Sequence, residues 1–223
     1  SALSPALSDL DPYRMAAVAV DTAVRNALVA GGTLDRLALL DNFCWTESDT
    51  PERLWQLKEA ARACHDYAIA YGTPFISGKD SMFNDFKGYD DAGNFVKISA
   101  LPTLLISSIG VMKDVRQALS IDAKAPGDLV YILGETDADM GGSEYFRMIA
   151  EHGQDGRIGG KVPDVDAKQN VLLYRAFEKA REKRLIASAV SVHRGGLAFG
   201  LLRTALSGKL GMRIDVGRLS GTA

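Results

Sequence analysis

Two short apolar runs, each followed by polar residues, flank one helical stretch, and this pattern constrains the fold of the chain most strongly. Residues 37–40 lead into Asp41-Asn42, and residues 75–76 lead, one residue later, into Gly-Lys-Asp-Ser at residues 78–81. Between them, residues 51–71 repeat apolar side chains at helical spacing. This order of strand, helix and strand predicts a βαβ unit, in which ligands gather at the carboxyl ends of the strands. We therefore expect Asp41 and residues 78–81 to meet in one crevice.

Residues 78–81 have the side-chain types that a phosphate-binding or metal-binding turn requires. Gly78 permits a tight turn and a close approach of phosphate to the main chain, and free N–H groups at such a turn bind anions. Lys79 supplies a positive charge, Asp80 is a candidate ligand of a divalent metal, and Ser81 offers a hydroxyl group. The spacing is not that of a Walker A loop. On these residues alone, an ordinary polar turn is the alternative interpretation.

Length, charge and cysteine content exclude several classes of protein. The 223 residues allow one large domain or two small ones, and a formal net charge of −2 without a basic stripe predicts no nucleic-acid partner. Two cysteines, Cys44 and Cys64, are too few for a disulfide framework and are typical of a reducing compartment. No apolar run reaches the roughly 18 residues of a membrane span, so we expect a cytoplasmic protein without a membrane partner.

The rest of the chain alternates predicted helices, strands and glycine-rich turns. Asp11-Pro12 and Gly31 bound a predicted helix over residues 12–30. A polar hairpin is expected at residues 84–94, with Lys87-Gly88 and Ala92-Gly93-Asn94 as turns, and a glycine-rich loop at residues 152–164. Further strands are predicted at residues 103–112, 129–133 and 186–192, and further helices after Ser143, over residues 165–183 and after residue 196.

Two glycine-rich turns supply weaker site candidates. Ser143 follows Gly141-Gly142 at a predicted helix start, which either binds an anion or requires close packing. His193 precedes Gly195-Gly196, where either an anion contact or a structural turn explains it. The apolar strand at residues 104–109 is typical of a face that is buried in a larger barrel or a homodimer.

Five motifs taken together resemble one protein family. They are Asp11-Pro12-Tyr13, Leu40-Asp41-Asn42-Phe43-Cys44-Trp45, Ser77-Gly78-Lys79-Asp80-Ser81, Pro126-Gly127-Asp128 and Gly141-Gly142-Ser143-Glu144-Tyr145. In order and spacing they resemble the second half of the synthetase region of the phosphoribosylformylglycinamidine synthase (FGAM synthase) family, in the aminoimidazole ribonucleotide synthetase-like superfamily. The resemblance implies an α/β (α+β) fold. It further implies an N-terminal-type domain over residues 1–115 and a truncated C-terminal-type domain over residues 116–223, so we expect a fragment of a longer protein.

The same resemblance implies an ATP-dependent ligase of purine biosynthesis. That family converts formylglycinamide ribonucleotide, ATP and glutamine-derived ammonia to the amidine. By similarity, Asp41 and Gly78 lie at the ATP, Lys79 and Asp80 at Mg²⁺ or the phosphates, and Ser81 at the substrate, with Asn42 as a weaker candidate. The implied partners are the first half of the synthetase, a glutaminase domain or subunit, and a possible homodimer partner. The catalytic His belongs to the first half, so we expect the isolated chain to be inactive.

Departures from the family pattern limit what is carried over. Some members have Asn where this chain has Lys79, and an ammonium group cannot ligate a metal as an amide oxygen can. Members with a second, structural nucleotide site have Glu where this chain has Thr22, four residues before Asn26. They also have two carboxylates where it has Ser191 and Arg194. We therefore expect no structural ADP–Mg²⁺ site of that kind.

Two other functions remain open on the sequence. A non-catalytic nucleotide-binding or dimerisation module would retain the fold without the chemistry. A different enzyme of the superfamily, such as an aminoimidazole ribonucleotide, selenophosphate or thiamine monophosphate kinase-like enzyme, would bind ATP with another substrate. The sequence that flanks this chain in the gene would distinguish the three, because a synthase needs a first half with its own His and carboxylates.

Overall fold

A three-stranded sheet carries two long helices in the first half of the chain. The computed structural model describes residues 1–152 and 159–217. Strands β1 (Leu37–Cys44), β2 (Phe75–Ser81) and a later strand, β5 (Thr103–Gly110), form a sheet in the order β2-β1-β5. β1 and β2 are parallel, whereas β1 and β5 are antiparallel. The predicted βαβ unit is therefore present, with its helix between the two parallel strands.

The two helices begin and end where their caps dictate. α1 spans Pro12–Ala30, and the backbone N–H of Arg14 donates to the Asp11 carboxylate at 2.9 Å. Gly31 ends α1 at φ 119°, a left-handed conformation that favours glycine. α2 spans Pro51–Tyr71 and ends at Gly72 in the same region. Proline at the first position of each helix has a fixed φ that suits helix initiation.

The hydrophobic core lies between these helices and one face of the sheet. Leu39, Leu104 and Ile106 project from the sheet, and Met15 and Val20 project from α1, all without solvent exposure. Alternation along a strand places every second side chain on the same face. Leu104 and Ile106 of the predicted apolar strand are therefore buried against this protein's own helices, and their burial requires no larger barrel or homodimer.

A separate hairpin projects from the end of the sheet. It consists of β3 (Asp85–Tyr89) and β4 (Phe95–Ser99), and the backbone N–H groups of Ala92 and Asn94 donate to the Asp90 carboxylate at its tip. The predicted hairpin is confirmed. Lys87-Gly88 lies inside β3, however, so the prediction of a turn at that dipeptide is wrong.

The second half of the chain contains helices but no assigned strand within the described residues. α3 spans Glu144–Glu151, α4 spans Ala167–Glu182 and α5 spans Gly196–Gly208, as the sequence predicts to within a few residues. Residues 129–133 and 186–192 were expected to be strands, and neither forms one. A strand requires a ladder of backbone hydrogen bonds, and between residues 186–192 and a neighbouring segment the described residues show the single bond from the Ala189 N–H to the Ser120 carbonyl at 3.1 Å. Residues 153–158, inside the predicted glycine-rich loop, and the terminal residues 218–223 lie outside that part.

Helix α4 joins the two halves of the chain through buried charged groups. Glu178 is 6% exposed and accepts a hydrogen bond from the backbone N–H of Leu34 at 2.5 Å. Arg181 is 5% exposed and donates to the carbonyl oxygens of Gly32 at 2.6 Å and Leu28 at 3.3 Å. Buried charges require such partners, so these contacts fix α4 against the end of α1. Among residues 1–152 and 159–217, no helix is long and apolar enough to cross a membrane.

Candidate functional site

The register of β1 and β2 brings the two polar motifs side by side. Asp41 pairs with Gly78, Asn42 with Lys79, Phe43 with Asp80, and Cys44 with Ser81. Parallel pairing across the βαβ unit is thus the reason that residues 37 positions apart in the sequence become neighbours. The predicted proximity of Asp41 to residues 78–81 is confirmed.

The backbone conformation of both motifs differs from the prediction. β1 continues through Asp41 and Asn42 to Cys44, so the carboxylate lies within a strand and not at its end. Residues 78–81 are extended in β2, so the expected turn with an anion-binding nest is also wrong. Pairing with β1 uses backbone groups that an anion-binding nest would need to leave free. The pairing continues beyond the ladder, where the Trp45 N–H donates to the Ser81 carbonyl at 2.8 Å. Tertiary pairing has overridden the local preference of Gly-Lys-Asp-Ser for a turn.

Asp41 and Asp80 lie on the face of the sheet that carries the helices. A Cβ atom built on Gly78 would be 2.6 and 2.8 Å from the two carboxylate oxygens of Asp41, so that carboxylate covers Gly78. Burial raises the pKa of Asp41 above its usual range, and the negative charge of Asp80 raises it further. Burial, with a contribution from Asp41, also raises the pKa of the Cys64 thiol in α2 to about 12. These effects identify Asp41 as a half-buried acid that has one acidic neighbour.

Lys79 and Ser81 lie on the opposite, outer face of the same strand. The Lys79 ammonium donates a hydrogen bond to the Ser81 hydroxyl, and on β1 the Cys44 thiol donates to the Asn42 side-chain oxygen at 3.6 Å. Alternation along β2 separates Lys79 and Ser81 from Asp80. The expected single crevice is therefore wrong, because the sheet divides the candidate residues into a helix-side group (Asp41, Gly78, Asp80) and an outer-face group (Asn42, Lys79, Ser81).

The helix-side group fits Mg²⁺ only in combination with a phosphate ligand. Within the described residues, no cluster of three or more His, Cys, Asp or Glu side chains is arranged to hold a metal. Mg²⁺ commonly binds through one or two carboxylates together with phosphate oxygens and water, and Asp41 and Asp80 meet that requirement. Lys79 does not, since it is a donor without an acceptor atom and lies on the other face.

Ser143 is occupied by helix capping. Its hydroxyl accepts a hydrogen bond from the backbone N–H of Phe146 at 3.2 Å, at the start of α3. A Cβ at Gly141 would lie 2.6 Å from the Gly160 carbonyl oxygen, and a Cβ at Gly142 would lie 2.5 Å from a methyl group of Leu7. The geometry therefore favours close packing over anion binding as the reason for these glycines.

His193 lies apart from the sheet, beside α1 and α5. Its ring Nε2 is 3.4 Å from the guanidinium of Arg203. Burial lowers the pKa of His193, and the positive charges of Arg203, Arg25 and Arg194 lower it further. His193 thus lies near three arginines, of which Arg25 and Arg194 are paired with Asp21 and Glu144, and not in the group around Asp41.

A buried acid on α1, Asp21, is a functional-looking group that the sequence pattern does not predict. It is 4% exposed and accepts hydrogen bonds from Tyr71 at 2.6 Å, Arg25 at 2.7 Å, Asn170 at 3.1 Å and the hydroxyl of Tyr174. These donors come from α1, α2 and α4. The only signal in the sequence is an acid within an apolar helix face, and its partners become apparent only when the three helices are packed together.

Comparisons with known proteins agree with this architecture. Residues 2–101 match the family model described as AIR synthase related protein, N-terminal domain, and residues 125–222 match the corresponding C-terminal domain. The chain is 34% identical over 208 residues to the phosphoribosylformylglycinamidine synthase subunit PurL of Gloeobacter violaceus, covering 93% of this chain and 25% of that protein. It is 33% identical over 211 residues to the PurL subunit of Methanocaldococcus jannaschii, covering 93% of this chain and 27% of that one.

Solved structures show the same fold. A structure of T. maritima PurL complexed with FGAR superposes with a TM-score of 0.64 at 17% identity, covering 93% of this chain and 31% of that chain. A HypE–HypF complex gives a TM-score of 0.60 at 21% identity, covering 87% of this chain and 55% of that chain. The α/β class is thus confirmed. The chain spans about a quarter of the length of the curated relatives that it matches.

Proposed function

The chain belongs to the AIR synthase related proteins, with both the N-terminal and the C-terminal domain of that family, and we propose that it forms part of a phosphoribosylformylglycinamidine synthase. The proposal is supported by 31–34% identity to PurL subunits over 93–96% of this chain. Because the chain covers only about a quarter of those relatives, the activity is proposed for a longer protein that contains it. In that protein it supplies the second half of the synthetase region, with its domain boundary near residue 115.

The proposed reaction is the ATP-dependent conversion of an amide to an amidine. The amide oxygen of formylglycinamide ribonucleotide attacks the γ-phosphorus of ATP, and ADP leaves. Ammonia then attacks the activated carbon, phosphate leaves with the former amide oxygen, and loss of a proton gives the amidine. Glutamine supplies the ammonia through a glutaminase domain or subunit. Catalysis of phosphoryl transfer is mainly positioning and charge neutralisation, and the described residues suit those tasks.

The helix-side group is proposed to bind the phosphates of ATP through Mg²⁺. Asp41 and Asp80 repel each other, and they are the two residues that would hold Mg²⁺, whose charge would offset that repulsion and that of the phosphates. Gly78 has a structural part in this site, since a side chain there would occupy the position of the Asp41 carboxylate. The single observation that carries the proposal is the contact between Asp41 and Gly78. Through it, the β1–β2 register brings two motifs of the family together into one acidic group.

The outer-face group is proposed to anchor the substrate. Lys79 and Ser81 combine an ammonium and a hydroxyl group, which suit an anionic group of a ribonucleotide. Asn42 on the adjacent strand pairs with Lys79 and offers an amide. None of the described residues is proposed as the catalytic acid or base. That role is assigned to a His in the first half of the synthetase, so the isolated chain is expected to be inactive. The longer enzyme is proposed to be cytoplasmic.

The test is ADP release by the longer protein, supplied with ATP, Mg²⁺, formylglycinamide ribonucleotide and ammonia. The proposal predicts that release depends on both the ribonucleotide and ammonia. It also predicts that Asp41→Ala and Ser81→Ala each reduce the rate at least about tenfold, the effect of losing one charge-assisted contact. Asp91→Ala, at an exposed position in the hairpin tip, is the matched control and should retain full activity.

A non-catalytic nucleotide-binding module is the second candidate. It would bind ATP without turnover, so wild-type protein that shows no ADP release with all substrates present would favour it. The ligase is supported instead by the presence of Asp41 and residues 78–81, which lie side by side on paired strands.

A further inference from the structure

A cavity of about 200 Å³ lies where the two halves of the chain meet. It is lined by residues that follow α1 (31–36), by residues that follow β5 (111–117) and by α4. The residues after α1 lie within the match to the N-terminal family domain, and α4 lies within the match to the C-terminal one. Ligand sites are common at domain interfaces. None of the residues of the proposed ligase site lines this cavity, so a ligand here is independent of the proposed function.

The lining carries charges of both signs. The three positive and three negative side chains are Arg36, Lys113, Arg181, Asp35, Glu178 and Glu182. Two of the carboxylates already have a cationic partner, since Asp35 and Glu178 both pair with Arg175, which does not line the cavity. Glu178 also accepts the backbone N–H of Leu34. The cavity is therefore not an excess of one charge, and a ligand that fits it needs groups of both signs.

Arg181 has an unused donor although it is buried. The residue is 5% exposed, and one terminal nitrogen of its guanidinium donates to the carbonyl oxygens of Leu28 and Gly32. Its Nε has no hydrogen-bond partner among the described residues. Buried donors are almost always paired with protein, water or a ligand, and an unpaired one on a charged group is costly. The free Nε therefore points to an occupant with an acceptor oxygen.

Three exposed charges of the lining are also free to contact a ligand. Within the described residues, the side chains of Arg36, Lys113 and Glu182 make no hydrogen bond or ion pair. With Arg181 they offer three cationic donors and one carboxylate. Carboxylate oxygens suit the donors, and an ammonium group suits Glu182. A simple oxyanion such as phosphate would leave Glu182 without a partner and would be repelled by it.

The size of the cavity limits the occupant to a small molecule. A cavity of about 150 Å³ accommodates benzene, so one of about 200 Å³ suits a molecule slightly larger than benzene. We propose that this cavity binds a small acidic amino acid. Its two carboxylates contact Arg36, Lys113 and the Nε of Arg181, and its ammonium group contacts Glu182. Because the lining comes from both halves of the chain, the ligand joins α4 to the segments that follow α1 and β5.

The test is titration of the 223-residue chain with L-aspartate by isothermal titration calorimetry, near neutral pH and at constant ionic strength. The ¹³C-methyl NMR signal of Met112, which lines the cavity, reports binding at this position. We expect saturable binding that shifts this signal. Succinate, which has the same two carboxylates without the ammonium group, and inorganic phosphate should both bind more weakly.

Variants of the exposed lining residues assign the contacts. Arg36→Gln and Lys113→Gln should each weaken L-aspartate binding about tenfold, the effect of one lost charge-assisted contact. Glu182→Gln should weaken L-aspartate binding severalfold and leave the affinity for succinate unweakened. Arg213→Gln and Glu135→Gln, at exposed positions that do not line the cavity, are the matched controls and should bind as the wild type does. Circular dichroism should show that all variants are folded, because each changes an exposed side chain.

Four results would overturn the proposal. The first is no saturable binding of L-aspartate to the wild-type chain. The second is equal affinity in the wild type, the lining variants and the controls, which indicates diffuse ion binding. The third is succinate or phosphate binding as tight as that of L-aspartate, which indicates an anion site without recognition of the ammonium group. The fourth is binding that leaves the Met112 methyl signal unchanged, which places the ligand elsewhere.

Discussion

The carboxylate of Asp41 covers Gly78 on the neighbouring strand, so that a Cβ atom at residue 78 would lie 2.6 Å from an oxygen of Asp41. Real Cβ atoms are not found that close to another heavy atom, so a side chain at residue 78 requires the acid to move. The contact joins the two polar motifs of the chain, and it explains in steric terms why glycine occupies a position inside a strand, where it is otherwise unfavourable.

Gly78→Ala is therefore expected to destabilise the fold by about 1–3 kcal/mol, the usual cost of inserting an atom into a packed site. Urea unfolding followed by circular dichroism measures the change. Gly211→Ala is the control, since a Cβ there meets nothing within 4 Å. Adding Asp41→Gly to Gly78→Ala should recover part of the loss, and additive effects of the two changes would contradict the steric account.

Asp21→Asn is expected to cost about 3 kcal/mol or more of stability. The change removes the charge that balances Arg25, whose Nε lies 2.7 Å from the Asp21 carboxylate, and breaking a buried ion pair leaves one charge uncompensated. Tyr174→Phe removes only one of the donors to Asp21 and should cost about 1 kcal/mol. Thermal and urea unfolding measure both. If Asp21→Asn is as mild as Tyr174→Phe, the network does not stabilise the packing of α1, α2 and α4.

Asp41 should make stability fall as pH rises through the acidic range. Burial raises the pKa of Asp41 in the folded state above the value of 3.8 for an unperturbed Asp, so the folded protein binds this proton more tightly than the unfolded chain does. The favourable contribution is complete below the unfolded pKa and is lost as pH rises through the folded pKa. The stability of Asp41→Asn relative to wild type should therefore increase with pH above about 4. A difference that is constant with pH would contradict the shift.

The two cysteines should react at different rates with iodoacetamide. Cys64 is 8% exposed, and burial with the nearby Asp41 raises the pKa of its thiol to about 12, so almost no reactive thiolate exists at pH 8. Cys44 is half-buried on the outer face of the sheet. Peptide mass spectrometry should find label at Cys44 well before Cys64 in the native protein and at both in urea. Equal labelling in the native state would contradict the described burial.

The helices and the βαβ unit could be predicted from the sequence because their signals are local. Asp11-Pro12 and Gly31 fix the ends of α1 by capping, and the apolar spacing of residues 51–71 fixes α2. The apolar run at residues 37–40 predicts that β1 ends before Asp41-Asn42, whereas pairing with two neighbours carries the strand to Cys44.

Features that depend on distant partners could not be predicted in this way. Residues 78–81 have the composition of a turn, and only the ladder with β1 holds them extended. The residues expected to form one crevice alternate along β2, and a strand's period of two places Asp80 and Ser81 on opposite faces. The cluster around Asp21 requires donors from three helices. Residues 129–133 have the composition of a strand but lack a paired neighbour among the described residues.

The most direct measurement of the central claim compares Asp80→Asn with Ser81→Ala in steady-state kinetics of the longer protein. These adjacent residues lie on opposite faces of β2, so the account predicts that their effects separate. Asp80→Asn should raise the KM for ATP and the Mg²⁺ concentration that gives half-maximal activity, with little change in the KM for formylglycinamide ribonucleotide. Ser81→Ala should raise the KM for formylglycinamide ribonucleotide, with little change in the other two values. If both variants change the same parameter by the same factor, or if neither changes any, the assignment of ATP to the helix side and substrate to the outer face is wrong.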